Sequence, residues 1–370
     1  MDNQNIKKIE AEIAQLRSED YELLDERHGF MVDGLLGGFK AAIHKMHYTF
    51  FNQILLGILG GVILAFGYTA CIVAVNSTPF GSGFANVLLG LFFPGCLILI
   101  TYLGGGLFTS HVVSTIPMFK KTIKVSDYLK GIFGVLLGNW VGTLLFIIVF
   151  ILAGGLEMKI GGKSVVVQAY YLGMHKMYGV GDSLLEGHAL TFKVILIAAI
   201  AAFASGMLCN FMVSSTLPLT NSSKHPVVAL MVIFFPIVFF AMSGYQHSPA
   251  NSYFMWIIFI VDIMKDNVFA SGETTPLLGG GAGALATAEI YNSINGATGF
   301  IFFAVNLVPS VLGNWVSGAI LLPGILHLIN KKYTEPFFKR ERILFLEEKL
   351  HKANLKAKGK EPSLKKPDKK

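Results

Sequence analysis

Charged residues are scarce in this chain. Only 14% of the 370 residues are charged and 53% are hydrophobic, whereas an ordinary globular domain has about 25% charged residues. This is too little surface charge to keep a soluble protein of this size dispersed, and the composition also excludes a disordered chain and a nucleic-acid-binding domain. The apolar residues fall in long uninterrupted runs, which are typical of an integral membrane protein.

The motifs of metal, nucleotide and redox chemistry are also missing. The three cysteines, Cys71, Cys96 and Cys209, lie inside apolar runs and form no Cys-x-x-Cys pair. No phosphate-binding Gly-Lys-Ser/Thr loop and no cluster of carboxylates is present. We therefore expect no metal, no cofactor and no disulfide framework. The polar segment 1–28 also lacks the features of a cleavable signal peptide.

Six apolar runs have about the length that a bilayer-crossing helix needs. Two shorter apolar pieces, 107–118 and 249–264, follow directly on the second and fifth runs. The sequence therefore predicts an all-α integral membrane protein with six transmembrane helices, of which the second and fifth are broken. The six runs cover residues 51–75, 87–103, 131–154, 193–217, 226–243 and 299–329.

The 30 basic residues are distributed unevenly. With the N-terminus inside, twenty-five of them fall on the inner side, four fall in outer loops and Lys193 lies within a span. The positive-inside rule therefore predicts a multi-pass plasma-membrane protein with both termini in the cytoplasm. Three regions follow: a helical segment 1–47, a membrane domain 48–330 with an outer insertion at about 266–298, and a basic tail 331–370 that can contact anionic lipid.

The first region is predicted to hold a short helix. Its apolar residues recur at a spacing of three to four, from Ile6 through Ile9, Ile13 and Leu16 to Leu23. Such a helix either forms a coiled-coil-like pair or lies as an amphipathic helix on the membrane or on the protein itself.

A short sequence recurs in the two halves of the chain. Leu-Gly-Asn-Trp-Val occupies 137–141 and again 312–316. Each half also contains one broken span. The two copies of the motif are farther apart in the sequence than the two breaks are, and the difference matches the length of the outer insertion. Since three spans per half is an odd number, the second half must be inverted in the membrane. We therefore predict inverted three-helix repeats.

The two breaks are the candidate functional sites. Three glycines, 104–106, interrupt the first, and Pro249 follows a His-Ser pair in the second. Irregular backbone at membrane depth persists only where it is buried in protein or lines a cavity, and the N-termini of half-helices favour anions. His247, on the second break, is an intramembrane ionisable residue and hence a functional candidate. His111, just past the first break, fits packing and function equally well.

Five short motifs lie between about residue 38 and residue 330. They are Leu107-Phe108-Thr109-Ser110, Gly138-Asn139-Trp140, Leu208-Cys209-Asn210, the run from Ser243 to Asn251, and Leu312-Gly313-Asn314-Trp315. In order and separation they resemble the motifs of the formate/nitrite transporter family. The resemblance implies an aquaporin-like fold, a homopentamer with one pore per protomer, and transport of monovalent weak-acid anions such as formate, nitrite, hydrosulfide, acetate and lactate.

The resemblance also implies which residues line the pore and bind the solute. His247 matches the central histidine of the family, and Lys193 resembles its outer-vestibule lysine. At Gly106 and Gln246 the chain departs from the family, because many members carry an acidic residue there. The other matching positions are Leu107, Phe108 and Thr109 in the first break, Phe93 and Leu97 at two hydrophobic constrictions, Phe240 seven residues before the histidine, and Asn210 and Val213 on the fourth span.

These residues predict transport of a weak acid together with a proton. Apolar constrictions cannot replace water around a charge, so the neutral acid is the form that passes, and His247, with Thr109 and Asn210, can hydrogen-bond it and exchange a proton. One alternative is an anion-selective channel without proton coupling. Another is an intramembrane hydrolase that uses His247 with Ser248 or Ser243, although no Gly-x-Ser-x-Gly motif is present. The chain also lacks the motifs of a neutral-solute channel of the aquaporin or ammonium type. We therefore expect that this protein is not an enzyme.

Overall fold

A computed structural model describes residues 3–77, 82–269 and 296–357. Five helices in these ranges are long and apolar enough to cross a membrane: Phe50–Asn76, Gly83–Leu103, Val125–Leu152, Phe192–Asn221 and Thr298–Ile329. They overlap five of the six predicted runs. The other run, 226–243, forms an apolar helix of 17 residues, Pro226–Met242. The predicted all-α membrane class agrees with these helices, and most helix ends lie within a few residues of the predicted ones.

The helices are numbered in chain order as follows: α1 (Asn3–Arg17), α2 (Phe30–Lys45), α3 (Phe50–Asn76), α4 (Ser82–Phe92), α5 (Pro94–Leu103), α6 (Phe108–His111), α7 (Thr115–Phe119), α8 (Val125–Leu152), α9 (Val165–His175), α10 (Gly179–Leu185), α11 (Phe192–Asn221), α12 (Pro226–Met242), α13 (Ser248–Phe269), α14 (Thr298–Ile329) and α15 (Lys331–Ala357). Short 3₁₀ turns cover Glu22–Leu24 and Val112–Ser114, and π-helical turns within α14 cover Phe303–Leu307 and Val316–Leu321. Two short strands, β1 (Lys159–Ile160) and β2 (Lys163–Ser164), form a hairpin between α8 and α9.

Helices α3 and α8 pack with their backbones in direct contact, because glycines lie at the contact points. A Cβ atom on Gly138 would lie 2.3 Å from the carbonyl oxygen of Ile54 and 2.7 Å from the Cα atom of Gly57. Helices α11 and α14 meet in the same way, since a Cβ atom on Gly313 would lie 2.0 Å from the carbonyl oxygen of Phe203. Small residues permit this close approach in membrane proteins, where van der Waals packing holds helices together.

We expect Gly138→Ala to destabilise the protein by about 1–3 kcal/mol, because the added methyl group overlaps the backbone of α3. The measurement is the thermal unfolding of detergent-purified protein. Gly95→Ala on α5 is the matched control, since no atom lies within 4 Å of the position that its Cβ would occupy. Equal melting temperatures for the two variants would contradict the close packing of α3 and α8.

The two terminal helices, α1 and α15, pack against each other outside the spanning helices. Ile9 and Ile13 form an apolar cluster with Ile343 and Leu346. The predicted short helix of the first region therefore packs against the protein, on α15. We call this side of the molecule, with the adjoining connections α2–α3, α7–α8 and α11–α12, the terminal side, and the opposite side, with α9 and α10, the distal side.

Ion pairs surround the contact between α1 and α15. Arg342 donates to both carboxylate oxygens of Glu12 and to the carbonyl oxygen of Lys121, in the connection that precedes α8. Lys339 pairs with Glu19 at 2.6 Å. The predicted outer insertion, 266–298, lies mostly outside the described residues, between the end of α13 at Phe269 and the start of α14 at Thr298. The end of the basic tail, 358–370, also lies outside them.

Candidate functional site

Both chain breaks that the glycines and proline predict are present. Helix α5 ends at Leu103, where Gly104 takes a left-handed conformation with φ of 79° that a residue with a side chain rarely adopts. Helix α12 ends at Met242, and Gly244 takes the same conformation with φ of 69°. The chain resumes helical structure at Phe108 and at Ser248. Each break therefore leaves the N-terminus of a half-helix inside the protein.

One buried amide holds the first break in place. The Oδ1 atom of Asn139, on α8, accepts a hydrogen bond from the backbone N–H of Phe108 at 3.1 Å. Its Nδ2 atom donates to the carbonyl oxygens of Gly57 (2.9 Å) and Gly106 (2.8 Å). One side chain thus connects the break to two spanning helices and satisfies three buried backbone groups.

The second break has an equivalent clamp on α14. The Oδ1 atom of Asn314 accepts from the N–H of Ser248 at 2.8 Å. Its Nδ2 atom donates to the carbonyl oxygens of Gly206 (2.7 Å) and Gln246 (2.9 Å). In both clamps the amide binds the first N–H of the half-helix, the carbonyl two residues before it and a glycine carbonyl on the adjacent long helix. We call Asn139 and Asn314 the clamp asparagines.

The two breaks meet at His247 and Thr109, which are both fully buried. The Thr109 hydroxyl oxygen lies 3.1 Å from Nε2 of His247. The Nδ2 atom of Asn210 donates to the carbonyl oxygens of Thr109 (3.3 Å) and Asn314 (2.7 Å), and the ring of Phe240 lies 5.6 Å from the imidazole. The predicted residues His247, Thr109, Asn210 and Phe240 are therefore brought together.

Two polar atoms at this centre have no partner among the described residues. They are Nδ1 of His247 and Oδ1 of Asn210. A buried polar atom without a partner costs free energy, so both atoms are available to a solute or to water. The centre thus contains unused hydrogen-bonding capacity on two different helices.

A cavity of about 570 Å³ lies on the distal side of this centre. Phe93 and Phe240 both line it, and their rings meet edge to face at 5.8 Å. Tyr68 packs on Phe93 at 4.8 Å between ring centroids. We call this the distal cavity; aromatic rings separate it from His247.

A lysine that the sequence did not indicate lines the distal cavity. Lys176 follows α9; its ammonium lies 5.4 Å from the ring centroid of Phe254, and its side chain is surrounded by protein yet partly open to the cavity. Burial lowers the pKa of the Lys176 ammonium to about 8. It is therefore charged at neutral pH and loses its charge as the pH rises through about 8. The sequence feature that could have indicated Lys176 is its position shortly after the mostly apolar run 165–174.

The structure places Lys193, the expected outer-vestibule lysine, elsewhere. Lys193 lies in the first turn of α11 and is exposed, and it is not among the residues that line the distal cavity in the described part of the chain. The connection between Lys176 and α11 contains the additional helix α10. Because of that helix, the number of residues before Asn210 does not indicate which lysine reaches the cavity.

A smaller cavity of about 170 Å³ lies on the terminal side and is lined by most of the remaining residues that were predicted to line the pore. Leu97, Leu107 and Val213 line it, together with Lys45 at the end of α2. Burial lowers the pKa of the Lys45 ammonium. We call this the proximal cavity. Phe108, the other predicted aromatic, is buried in an apolar cluster and does not appear among the described residues that line either cavity.

His111 has a structural contact. Its Nδ1 atom lies 3.0 Å from the carbonyl oxygen of Leu107, and the residue is buried. Within the described ranges it lines neither of the two cavities. Of the two interpretations that the sequence left open, the geometry favours packing.

The two departures from the family pattern have clear positions. A Cβ atom on Gly106 would lie 3.1 Å from Leu56 Cβ and 3.2 Å from His111 Cε1, so a larger residue needs these neighbours to move. Gln246 joins a network of amides: its Oε1 accepts from Asn251 at 2.7 Å. Asn251 also donates to Asn306 (2.9 Å), which donates to the backbone carbonyl of Lys176 (2.6 Å). The network positions the backbone that carries Lys176.

Comparison with known proteins identifies the family. The family model described as formate/nitrite transporter matches residues 37–328. The chain belongs to the formate/nitrite transporter family. It is therefore a membrane transport protein and not an enzyme, which sets aside the intramembrane hydrolase.

Relatives of known name are moderately similar to the chain. It is 26% identical to the formate channel FocA of Escherichia coli (strain K12) over 286 residues, which is 77% of this chain and 87% of that protein. It is 24% identical to the formate-nitrite transporter of Plasmodium falciparum (isolate 3D7), covering 80% of this chain and 84% of that protein. A solved pentameric formate channel with formate bound has the same fold, with a TM-score of 0.54, 24% identity, and coverage of 76% of this chain and 97% of that one.

Proposed function

We propose that this protein moves small monovalent weak-acid anions across the membrane together with a proton, so that the neutral acid crosses the centre. The observation that carries the proposal is the buried His247–Thr109 contact, which lies between two cavities that each contain a lysine. The family relationship supports transport, and the relatives named as formate channels support a small carboxylate as solute.

The lysines attract the anion. Lys176 lines the distal cavity and Lys45 the proximal cavity. A positive charge in a cleft with apolar walls raises the local concentration of anions. Each cavity therefore has its own lysine, and anions are concentrated at both entrances of the path.

The aromatic contact then selects the neutral form. Phe93 and Phe240 present aromatic rings to the distal cavity, on the side where Phe240 contacts His247. Removing water from a carboxylate without a polar replacement costs several kcal/mol, and this raises the pKa of the solute acid. Accepting a proton removes most of that cost, so protonation precedes passage.

The centre offers hydrogen bonds to the solute. His247 has a free Nδ1 atom and Asn210 a free Oδ1 atom among the described residues, and Thr109 connects the two through its hydroxyl and carbonyl groups. An acid that has lost its water can replace these missing partners. An imidazole can both donate and accept a proton, so His247 can exchange a proton with the solute.

The test is uptake into proteoliposomes with formate, nitrite, hydrosulfide, acetate and lactate. An entrapped pH dye follows protons, and a potential-sensitive dye follows charge. We expect flux that rises on acidification, carries one proton per anion and generates no current. Flux that generates current without proton movement would instead support an anion-selective channel.

We expect Lys176→Gln to reduce uptake several-fold at low anion concentration and little at saturation, because it removes the charge that concentrates the anion. Wild-type uptake should also fall as the distal pH rises through about 8, where Lys176 loses its proton, and the variant should lack this step. Lys193→Gln is the matched control and should behave like the wild type, since Lys193 is exposed. A larger effect at Lys193 would restore the assignment made from the sequence.

We further propose inverted three-helix repeats in a homopentamer. The equivalent clamp asparagines of α8 and α14 support the repeats, and the fold shared with a solved pentameric formate channel supports the pentamer. We also propose a plasma-membrane location with the terminal side in the cytoplasm; the excess of basic residues on the terminal side supports this orientation. Native mass spectrometry measures the number of subunits.

A further inference from the structure

His175 is a second histidine on the solute path, and the proposed function does not use it. It is the last residue of α9 and lines the distal cavity directly before Lys176. The ring of Tyr171 lies edge-on to the imidazole at 4.4 Å between centroids and restricts its orientation. Nδ1 of His175 lies 3.3 Å from a carboxylate oxygen of Asp182 on α10. Its Nε2 atom is buried without a partner among the described residues.

This geometry defines which nitrogen exchanges protons. The carboxylate of Asp182 only accepts hydrogen bonds, so the neutral ring keeps its proton on Nδ1 and leaves a lone pair on Nε2. The side chain of Asp182 is 54% exposed, and that of His175 is 26% exposed. The carboxylate thus remains in contact with the distal solution while the imidazole extends into the protein.

We propose that His175 is the proton donor of the distal cavity and protonates the weak-acid anion held beside Lys176 before it reaches Phe93 and Phe240. The proposal rests on the proposed proton-coupled function. In the first step a hydronium ion or the acid form of a buffer in the cavity gives a proton to Nε2; the ring becomes imidazolium, and water or the conjugate base of the buffer remains. In the second step Nε2 gives the same proton to a carboxylate oxygen of the anion, and a neutral ring and a neutral acid result.

The charged surroundings of His175 favour this exchange. Burial lowers the pKa of the imidazole, and the Asp182 carboxylate opposes the shift. The lowered pKa makes the His175 imidazolium a stronger acid than that of a free histidine, which favours release of its proton. Among the described residues, the other titratable side chains that line the cavity are Lys176, Tyr68, Tyr178 and Tyr245.

Other charged residues on the elements that pack against α9 lie farther away. Lys163 of β2 precedes α9 and lies at its other end. The first charged residue of α13 is Asp262, about two helical turns beyond Phe254, which lines the cavity. Asp182 is therefore the carboxylate that controls the ring.

The test measures uptake of radiolabelled formate into proteoliposomes at neutral pH. The same impermeant buffer is present inside and outside, and its concentration is either low or high. We expect His175→Gln to be at least about tenfold slower than the wild type at low buffer and to recover towards it at high buffer, because buffer then supplies the proton. Asp182→Asn should show the same buffer dependence with a smaller loss. His188→Gln is the matched control: His188 forms an exposed pair with Glu186 at 3.1 Å on the same connection.

Distinct results separate this proposal from the proposed function. Wild-type uptake without proton movement, followed with an entrapped pH dye, would overturn both. Proton-coupled wild-type uptake that His175→Gln leaves unchanged at low buffer would overturn only the role of His175. A variant that is equally slow at both buffer concentrations would assign His175 a purely structural role. If His175→Gln does not fold, the half-exposed Asp182→Asn decides by its buffer dependence.

Discussion

Replacing His247 with asparagine is expected to lower proton-coupled uptake on the order of a hundredfold, which is the range that a positioned acid–base group contributes. Asparagine can still hydrogen-bond Thr109, which lies 3.1 Å from the imidazole, but it cannot exchange a proton. The structure around the side chain should survive, since the surrounding breaks are held by the clamp asparagines. The measurement is initial uptake of formate at several pH values.

His111→Asn is the control for this prediction. His111 is a second buried histidine, and its contact with the Leu107 carbonyl can be kept by the asparagine amide. We expect it to retain most of the uptake. An uptake loss of equal size in both variants would mean that any buried histidine change disturbs the fold. A His247→Asn protein with full proton-coupled flux would remove the imidazole from the mechanism.

The second large effect is expected at the clamp asparagines. Asn139→Leu and Asn314→Leu each remove the partner of one N–H and one carbonyl at a break, and each also removes a hydrogen bond to a glycine carbonyl of the adjacent helix. Each unpaired buried group costs about 1–3 kcal/mol, so we expect each variant to lose at least about 2 kcal/mol of stability. Loss on heating of the assembled peak in size-exclusion chromatography measures this.

The matched control for the clamps is Asn52→Leu, in the first turn of α3. The side chain of Asn52 is exposed, so the exchange leaves no buried backbone group unpaired and should change the melting temperature little. Variants of the two clamps that melt at very different temperatures would argue against equivalent roles for the two breaks. Clamp variants as stable as Asn52→Leu would mean that the hydrogen bonds are replaced by water.

Helices and breaks were predictable from the sequence, because their signals are local. Glycines 104–106 and Pro249 interrupt apolar runs, and α5 and α12 end directly before the two breaks. The repeated Leu-Gly-Asn-Trp motif was equally visible. Its role was not, because Asn139 binds Phe108 31 positions away and Asn314 binds Ser248 66 positions away. Only the packing of helices against each other creates those contacts.

The position of the lysines shows where sequence reasoning fails. Lys176 and Lys193 both adjoin helices on the distal side, yet only Lys176 is drawn into the cavity, through its backbone contact with Asn306. Asn306 lies in a π-helical turn of α14. Hydropathy and spacing do not describe how deeply a connecting segment enters the protein. Lys176, Lys45 and His175 could therefore be assigned to the cavities only from the structure.

The pairing of α1 with α15 has a consequence for synthesis of the protein. Arg342 and its partner Glu12 are 330 positions apart, so at about 5–20 residues per second the ribosome needs roughly 15–70 s between them. Throughout that time Ile9 and Ile13 lack their partners Ile343 and Leu346. A chain that stalls before the last helix therefore keeps an uncovered apolar surface, which chaperones and proteases recognise in unfinished proteins. Synthesis of α15 supplies the residues that cover this apolar surface.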